Sequence, residues 1–299
     1  MKLSTIGNRF FRSIRFIWYH PLVVRNRLSA FLRYFTFHFS NVFYNSEQLV
    51  DFVGNTKILI SKDLNGASTN YFTYLSDCEE MIFLLHLLKS KDIFVDVGCN
   101  VGIWTILASG VSRSYSIAFE PVLSTYKKLQ KHLEINHLND KVSFYNIAVG
   151  NNQENIYLTK NLGALNRVDL NGNGIKVSQN TLDNLIRDKI PKLIKIDVEG
   201  FEDEVLKGAK QILENKKLKA IIIELNGSAI KYGSSNLEIH TRLLKFGFFP
   251  INYNPFKRSI NVLDSFNKKG HNTIYIRDLS YIENIVTKAS YLKIGEMII

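Results

Sequence analysis

The chain has 299 residues, of which 45% are hydrophobic and only five are proline, and its net charge is +11. A chain of this length can bury one sizeable core, so one principal domain is expected. The two cysteines, Cys78 and Cys99, form no C-x-x-C pair, which excludes a disulfide framework and a zinc site and predicts a reducing, cytoplasmic setting.

Positive charge is concentrated in residues 1–46, which form a basic aromatic N-terminal extension. This segment contains no acidic residue, and its basic residues alternate with aromatic ones. Such a composition is typical of an amphipathic segment that lies on an anionic membrane surface. The basic residues are Lys2, Arg9, Arg12, Arg15, Arg25, Arg27 and Arg33, and the aromatic residues include Phe10, Phe11, Phe16, Trp18, Tyr19, Phe31, Tyr34, Phe35, Phe37 and Phe39.

Other interpretations of this extension stay open. The aromatic residues could pack on the catalytic domain or on a second subunit while the arginines are solvated, or the segment could contact nucleic acid. No apolar run reaches the roughly 18 residues that span a bilayer, and the arginines interrupt any signal-peptide core. We therefore predict a cytoplasmic protein, with peripheral contact to the inner face of the membrane as an alternative.

Residues 47–90 are predicted to form a lead-in hairpin and helix. Residues 49–60 and 71–75 have the pattern of short strands, and Asn65-Gly66 between them favours a turn. A helix is expected to begin near Asp77, with an apolar body over residues 81–88. The principal domain is then assigned to residues 91–277 and a C-terminal tail to residues 278–299.

The sequence IFVDVGCNVG over residues 93–102 carries the first functional motif. A short apolar strand delivers Asp96, and Gly98 and Gly102 let the backbone turn into a helix whose first N–H groups can meet a ligand. A dinucleotide motif requires a glycine where Asn100 stands, so the spacing argues against NAD.

A second acid, Glu120, ends the next predicted strand, residues 115–120. An acid at each of two neighbouring strand ends, with a two-glycine turn between them, suits a ligand that has an amino acid at one end and a ribose diol at the other. S-adenosylmethionine (SAM) is such a ligand.

Strands and helices alternate from residue 92 onward, which predicts the α/β architecture of a doubly wound sheet. A segment rich in glycine and asparagine, residues 162–176, is either a substrate loop or a tolerated surface connection. Strands are predicted over residues 93–97, 115–120, 142–149, 193–197, 220–225, 248–253 and 272–277, with helices after residue 102, from residue 121 and over residues 236–246.

The sequence LIKIDVEGFE over residues 193–202 carries the second motif. Lys195 and Asp197 alternate with isoleucines on one face of a buried strand, and Glu199 follows in the loop. Asp197 and Glu199 are predicted to act as base or to position substrate, with Lys195 beside them. In one alternative Lys195 pairs with an acid and Glu199 caps the next helix; in another the acids hold a divalent cation, although no metal spacing is evident.

Together the two motifs resemble the FkbM family of methyltransferases, in which a D-x-G-A-N-x-G turn precedes a K-x-D-V-E-G strand end. Cys99 stands where the family usually carries alanine. The resemblance covers about residues 80–277 and implies SAM as cofactor and a Rossmann-like class I sheet of seven strands, the last antiparallel. Its further motifs are AFEP (118–121), NIAVG (146–150), TLD (181–183) and IIELN (222–226).

The resemblance also implies roles for individual residues. Asp96 is expected near the methionine ammonium, and the Gly98–Gly102 backbone, Asn100 included, is expected around the methionine portion. Glu120 would accept hydrogen bonds from both ribose hydroxyls. Asn146 and Ala148 are expected at the adenine edge.

The substrate class follows from the resemblance as well: the oxygen of a sugar, a glycan or a related small polyhydroxylated metabolite. An RNA methyltransferase is the first alternative, favoured by basicity but opposed by the lack of a recognisable RNA-binding module. A non-catalytic, membrane-associated protein with a SAM-binding fold is the second, opposed by the presence of Asp96, Glu120 and Asp197 together.

Overall fold

The structure, a computed structural model, describes residues 2–43, 47–62, 64–160 and 166–299. The chain forms two compact units, one of Met1–Cys78 with Tyr291–Ile299 and one of Glu79–Ser290. Among the described residues, no helix is long and apolar enough to cross a membrane.

The first unit consists of helices and two small hairpins. The first hairpin pairs its strands in antiparallel register, Gln48 opposite Ile60, and closes through a bond from the Phe52 N–H to the Thr56 carbonyl. The elements are α1 (Lys2–Tyr19), a 3₁₀ turn (Pro21–Val23), α2 (Arg27–Phe43), β1 (Gln48–Asp51), β2 (Lys57–Ile60), α3 (Asn65–Thr73) and a C-terminal hairpin of Lys293–Ile294 and Met297–Ile298.

The predicted strand over residues 71–75 is wrong, because most of this segment belongs to α3. The ring of Phe72 packs edge-on against Tyr34 and Phe37 of α2, with centroids 5.2 and 5.3 Å apart. This packing favours a helix over the strand that the local aromatic and β-branched residues suggest. The lead-in hairpin is therefore formed by β1 and β2 alone, and Asn65 begins a helix instead of a turn.

The second unit is built on two sheets with helices around them. The strands are β3 (Ile93–Val97), β4 (Tyr115–Phe119), β5 (Val142–Tyr145), β6 (Ala148–Gly150), β7 (Glu154–Leu158), β8 (Ile175–Thr181), β9 (Leu193–Ile196), β10 (Ala220–Glu224), β11 (Phe249–Asn254), β12 (Ser259–Val262) and β13 (Asn272–Ile276). The helices are α4 (Cys78–Leu87), α5 (Ile103–Ile106, continued by a π-helical turn, Leu107–Val111), α6 (Leu123–Ile135), α7 (Leu182–Ile186), α8 (Glu202–Lys207), α9 (Lys210–Glu214), a 3₁₀ turn (Ser228–Tyr232), α10 (Asn236–Lys245) and α11 (Leu279–Thr287).

The large sheet has the strand order β12-β11-β13-β10-β9-β3-β4-β5. Its strands from β10 to β5 are parallel, whereas β13 is antiparallel to both β10 and β11. The predicted α/β fold with an antiparallel last strand is confirmed. An eighth strand, β12, extends the edge by pairing antiparallel with β11.

The second sheet, with strand order β6-β8-β7, was not predicted. The expected single strand over residues 142–149 is divided, since β5 joins the large sheet and β6 pairs with β8. The division falls at Asn146, whose side-chain amide donates to the carbonyls of Glu120 and Pro121 at 2.9 Å. β8 begins in the last two residues of the segment predicted as a loop, residues 162–176, of which residues 162–165 lie outside the described residues.

β10 lies at the centre of the core, with Ile222 fully buried and hydrogen-bonded neighbours on both sides. We expect Ile222→Ala to lower the free energy of unfolding by about 2–5 kcal/mol, because it removes buried apolar groups and leaves a cavity. Urea denaturation measures the change. The matched control is Ile230→Ala, whose side chain is 76% exposed, and an equal loss in both variants would contradict this placement of the core.

Candidate active site

Gly98 ends β3 where the chain passes closest to β9. Its φ is +76°, and a Cβ at this position would lie 1.9 Å from the Asp197 carbonyl oxygen, so only glycine fits. The N–H groups of Gly98 and Cys99 both donate to the Phe119 carbonyl at 3.0 Å. The carboxyl ends of β3, β4 and β9 are thereby held together in one place.

The rest of the glycine turn brings a backbone donor to Glu120. Gly102 has a φ of +85°, and a Cβ there would meet Leu129 at 2.3 Å. Asn100 has a φ of +52°, a conformation that asparagine adopts more readily than most residues. Its N–H donates to Glu120 Oε2 at 3.0 Å.

Glu120 is 7% exposed and held at both carboxylate oxygens. Oε1 accepts from the Val122 N–H at 2.9 Å, opposite the bond from Asn100. Burial raises the pKa of Glu120 to about 7, although both backbone donors oppose the shift. Because each carboxylate oxygen has two lone pairs, acceptor capacity remains for a diol.

Asp96 is fully buried behind the turn. Its Oδ2 accepts from the Thr105 hydroxyl at 2.7 Å, and its Oδ1 has no hydrogen-bond partner among the described residues. Burial raises the pKa of Asp96 to about 6, with the positive charge of Lys195 opposing the rise.

Lys195 is paired with Asp197. Its ammonium lies 2.7 Å from Asp197 Oδ2 and 5.2 Å from the centre of the Trp104 ring. The Lys195 side chain is 3% exposed, whereas that of Asp197 is 35% exposed. Lys195 therefore pairs with an acid, as one of the alternatives predicted. Of the two residues, Asp197 lines the pocket described below and Lys195 does not.

Glu202, to which the sequence assigned no role, takes the capping role that one alternative gave to Glu199. Glu202 Oε1 accepts from the N–H groups of Val198 and Gly200 at 3.2 and 3.0 Å, so Glu202 satisfies the turn before α8. Glu199, with a φ of +55°, is free of that capping task. Burial, and then the charge of Asp197, raises the pKa of Glu199.

A third carboxylate joins Asp197 and Glu199. Carboxylate oxygens of these two residues and of Glu224 lie within 4.8 Å of one another. Burial, and then the two neighbouring acids, raises the pKa of Glu224 to about 9, so the three acids together retain a proton near neutral pH. The cluster is spaced closely enough for a cation, but the Lys195 ammonium already binds Asp197.

A single pocket joins the predicted cofactor and catalytic residues. Of the predicted residues, Gly98, Asn100, Glu120, Ala148, Asp197 and Glu199 line it. Asp96, Gly102, Lys195 and Asn146 do not line it. Lys195 and Asn146 contact lining residues, through Asp197 and through Glu120 and Pro121, whereas Asp96 lies behind the glycine turn and Gly102 belongs to it. The other lining residues are Val97, Phe119, Pro121, Val122, Thr125, Ile147, Val149, Ile156, Leu158, Asn166, Arg167, Val168, Val198 and Phe201.

One wall of the pocket was not assigned from the sequence. It comes from β7, from Phe201 and from residues 166–168 of the turn-rich segment. The Tyr232 hydroxyl donates to the Val168 carbonyl at 2.9 Å, and its ring packs edge-on against Phe201. The asparagines and glycines around this segment signalled a loop, but no sequence signal indicated which wall it forms.

A family model described as the Methyltransferase FkbM domain matches residues 96–250, just over half of the chain. The chain belongs to the FkbM methyltransferase family. This FkbM methyltransferase is therefore SAM-dependent, and its matched segment contains both glycine-and-acid motifs.

Solved structures similar to this FkbM methyltransferase include precorrin 8W decarboxylase from Methanobacterium thermoautotrophicum, at 16% identity and a TM-score of 0.39 over 68% of this chain and 89% of that one. A candidate methyltransferase from Streptococcus mutans, in complex with SAH (S-adenosylhomocysteine), has 13% identity and a TM-score of 0.41, and the match covers 67% of this chain and 96% of that one. The B. subtilis tRNA methyltransferase TrmK has 12% identity and a TM-score of 0.37, and the match covers 66% of this chain and 63% of that one. No curated protein matches the chain.

The burial of Glu202 predicts a pH-dependent stability. Burial raises the pKa of Glu202 from 4.5 to about 7, so its stabilising contribution is complete below about pH 4.5 and is lost as the pH rises through about 7. Glu202→Gln keeps an acceptor for Val198 and Gly200 but carries no charge. We expect the free energy of unfolding of the variant, relative to that of wild type, to increase by roughly 1–3 kcal/mol when the pH is raised from about 5 to about 8.

Urea denaturation at the two pH values measures this gain. The exposed Glu214→Gln provides the control, because water solvates that carboxylate in the folded state as well. If the difference in unfolding free energy between wild type and Glu202→Gln does not change with pH, that result would contradict the burial of a titrating carboxyl group.

Proposed function

We propose that this FkbM methyltransferase methylates an oxygen of a neutral polyhydroxylated substrate, such as a sugar or a glycan. The observation that carries the proposal is the position of Asp197 and Glu199, which line the same pocket as Glu120. A pocket with a diol acceptor in one part and a carboxylate pair in another suits a cofactor with a ribose and a substrate with hydroxyl groups.

The residues of the pocket fit SAM, which supplies a methyl group activated on a sulfonium when it is bound. Glu120 would accept hydrogen bonds from the ribose hydroxyls, because its carboxylate is already oriented by two backbone donors. The backbone at Gly98 and Asn100 would enclose the methionine portion, supported from behind by Asp96. Ala148 would lie beside the edge of the adenine ring. Asn146 would position this part of the pocket, because its side-chain amide donates to the Glu120 carbonyl.

The charge of the pocket favours a neutral substrate. The cluster of Asp197, Glu199 and Glu224 retains a proton near neutral pH, and its remaining negative charge is balanced by the Lys195 ammonium and by the guanidinium of Arg167, which also lines the pocket. Carboxylates accept hydrogen bonds from sugar hydroxyls but repel phosphate groups at short range. This electrostatic character favours a sugar over RNA, despite the positive net charge of the whole chain.

Glu199 is the better candidate for the base. A hydroxyl nucleophile benefits from a positioned proton acceptor, and a carboxylate accepts the proton more readily when its pKa is raised. Burial raises the pKa of Glu199, whereas Asp197 is held by the Lys195 ammonium. Glu199 would thus take the proton, and Asp197, oriented by Lys195, would position the substrate.

Glu120→Ala should weaken binding of S-adenosylhomocysteine by roughly 1.5–3 kcal/mol, the usual loss for hydrogen bonds to a charged group. Titration calorimetry measures the affinity, and circular dichroism checks that the variant is folded. Glu214→Ala, which removes an exposed carboxylate, should bind as wild type does. Unchanged affinity in Glu120→Ala would remove Glu120 from the ribose site.

Glu199→Gln should keep the S-adenosylhomocysteine affinity within a few-fold and lose about 10²–10⁴-fold in turnover, because it preserves shape but cannot accept the proton. Asp197→Asn should lose turnover as well, with a rise in KM for the acceptor that reports positioning. Transfer of labelled methyl from SAM to a panel of sugars, glycans and RNA measures the activity.

Glu214→Gln is the control for this assay and should turn over as wild type does. Near-normal turnover in both site variants would eliminate the two acids from catalysis. Methyl transfer to RNA but not to any hydroxylated metabolite would overturn the proposed substrate class.

A further inference from the structure

Helix α2 is apolar on two faces, of which one is packed within the first unit. Ala30, Tyr34 and Phe37 recur at helical spacing and are buried. Tyr34 and Phe37 contact Phe72 of α3. This face accounts for the packing of α2 on its own unit.

The second apolar face of α2 is exposed. Leu28, Leu32, Phe35 and Phe39 follow one another at intervals of four, three and four residues, so they form one continuous stripe. Their exposed fractions are 72%, 56%, 49% and 69%. Scattered apolar residues are normal on a protein surface, but a continuous apolar stripe marks an interaction site.

Helix α1 extends this stripe with aromatic rings. Phe10 contacts Phe35 at a centroid distance of 6.4 Å, and Trp18 contacts Phe31 at 6.1 Å. Phe11, Trp18 and Tyr19 are exposed by 71%, 47% and 71%. The basic aromatic face is the exposed surface that these apolar residues of α1 and α2 form with Arg12 and Arg15 of α1 and with Arg25 of the turn before α2.

Positive charge surrounds the apolar residues of this face. Arg12, Arg15 and Arg25 are exposed, and none forms an ion pair with a described residue. Arg33, in contrast, is used internally, since its guanidinium donates to the Tyr74 hydroxyl and the Phe72 carbonyl. The free arginines of the basic aromatic face are therefore available to an external partner.

We propose that the basic aromatic face docks on the surface of an anionic phospholipid bilayer. Apolar and aromatic side chains between arginines are the composition of a helix that lies in the membrane interface, where tryptophan and tyrosine rings are favoured. Guanidinium groups bind lipid phosphates. A second copy of the chain would instead bring the same unpaired positive charges together, because residues 1–46 contain no acid.

Co-sedimentation of the full chain with vesicles tests the proposal. Vesicles of equimolar phosphatidylcholine and phosphatidylglycerol should bind the protein at least about tenfold more strongly than phosphatidylcholine alone, since each basic residue adds to the attraction of an anionic surface. Binding should weaken between about 0.1 M and 1 M salt, where the Debye length falls from about 10 to 3 Å.

Two variants separate the contributions of charge and apolar area. Arg12→Gln with Arg15→Gln and Arg25→Gln should reduce vesicle binding by about 10- to 100-fold. Lys210→Gln with Lys216→Gln and Lys217→Gln removes the same charge from exposed sites of the second unit and should leave binding nearly unchanged.

A second test variant and its control address the apolar part of the basic aromatic face. Leu28→Ser with Phe39→Ser removes the two most exposed side chains of the stripe and should abolish most of the binding. Leu237→Ser, at a site that is 61% exposed in the second unit, should not change it. Neither change touches the buried face of α2, so retained circular dichroism is expected in all variants.

Tryptophan emission reports the contact directly, because the chain has only Trp18, which is 47% exposed, and Trp104, which is 7% exposed. Anionic vesicles should shift the emission to shorter wavelength, and Trp18→Phe should remove the shift. Absent vesicle binding, salt-independent binding or equal binding by the arginine and control variants would overturn the proposal. A dimer in solution that Leu28→Ser with Phe39→Ser converts to a monomer, without vesicle binding, would assign the face to a second copy instead.

Discussion

The active site depends on the contact between Gly98 and the Asp197 backbone. A side chain at residue 98 would overlap the Asp197 carbonyl, so glycine alone lets the ends of β3 and β9 meet. The same turn places the Asn100 N–H on the Glu120 carboxylate. One close approach between two parallel strands therefore brings Glu120, the proposed diol acceptor, into one pocket with Asp197 and Glu199, although they are separated by some 80 residues of sequence.

Buried acids in and around the pocket lower the stability of the fold at neutral pH. Burial raises the pKa of Asp96 to about 6, of Glu120 and Glu202 to about 7, and of Glu224 to about 9. A core optimised for stability alone would not contain such groups, since a buried charge is costly unless it is paired. Violations of this kind concentrate at functional sites. Here Asp96 accepts from a hydroxyl, Glu120 and Glu202 accept from backbone N–H groups, and Glu224 accepts from the side-chain amide of Asn226.

Local signals predicted the cofactor end of the site. Asp96, Gly98 and Glu120 stand at strand ends that the apolar pattern already defined, and the parallel order of those strands gathers their carboxyl ends. The capping of the turn before α8 could not be predicted in the same way. Glu199 and Glu202 have the same side chain, and no sequence signal indicates that the N–H groups of Val198 and Gly200 donate to Glu202.

Non-local pairing explains the other differences between sequence and structure. β6 and β8 are separated by a turn-rich segment, so nothing in either sequence indicates that they pair or that residues 166–168 line the pocket. Residues 71–73 have a strand-like composition, but contacts with α2 favour a helix. In both cases tertiary contacts decide the outcome against local preference.

A crystal structure of the full chain soaked with S-adenosylhomocysteine tests the central claim most directly. The account predicts the ligand in the pocket between the Gly98 turn and Ala148, with both ribose hydroxyls within hydrogen-bond distance of Glu120 and the sulfur directed toward Asp197 and Glu199. A ligand whose ribose lies away from Glu120, or whose sulfur points away from the two acids, would contradict it.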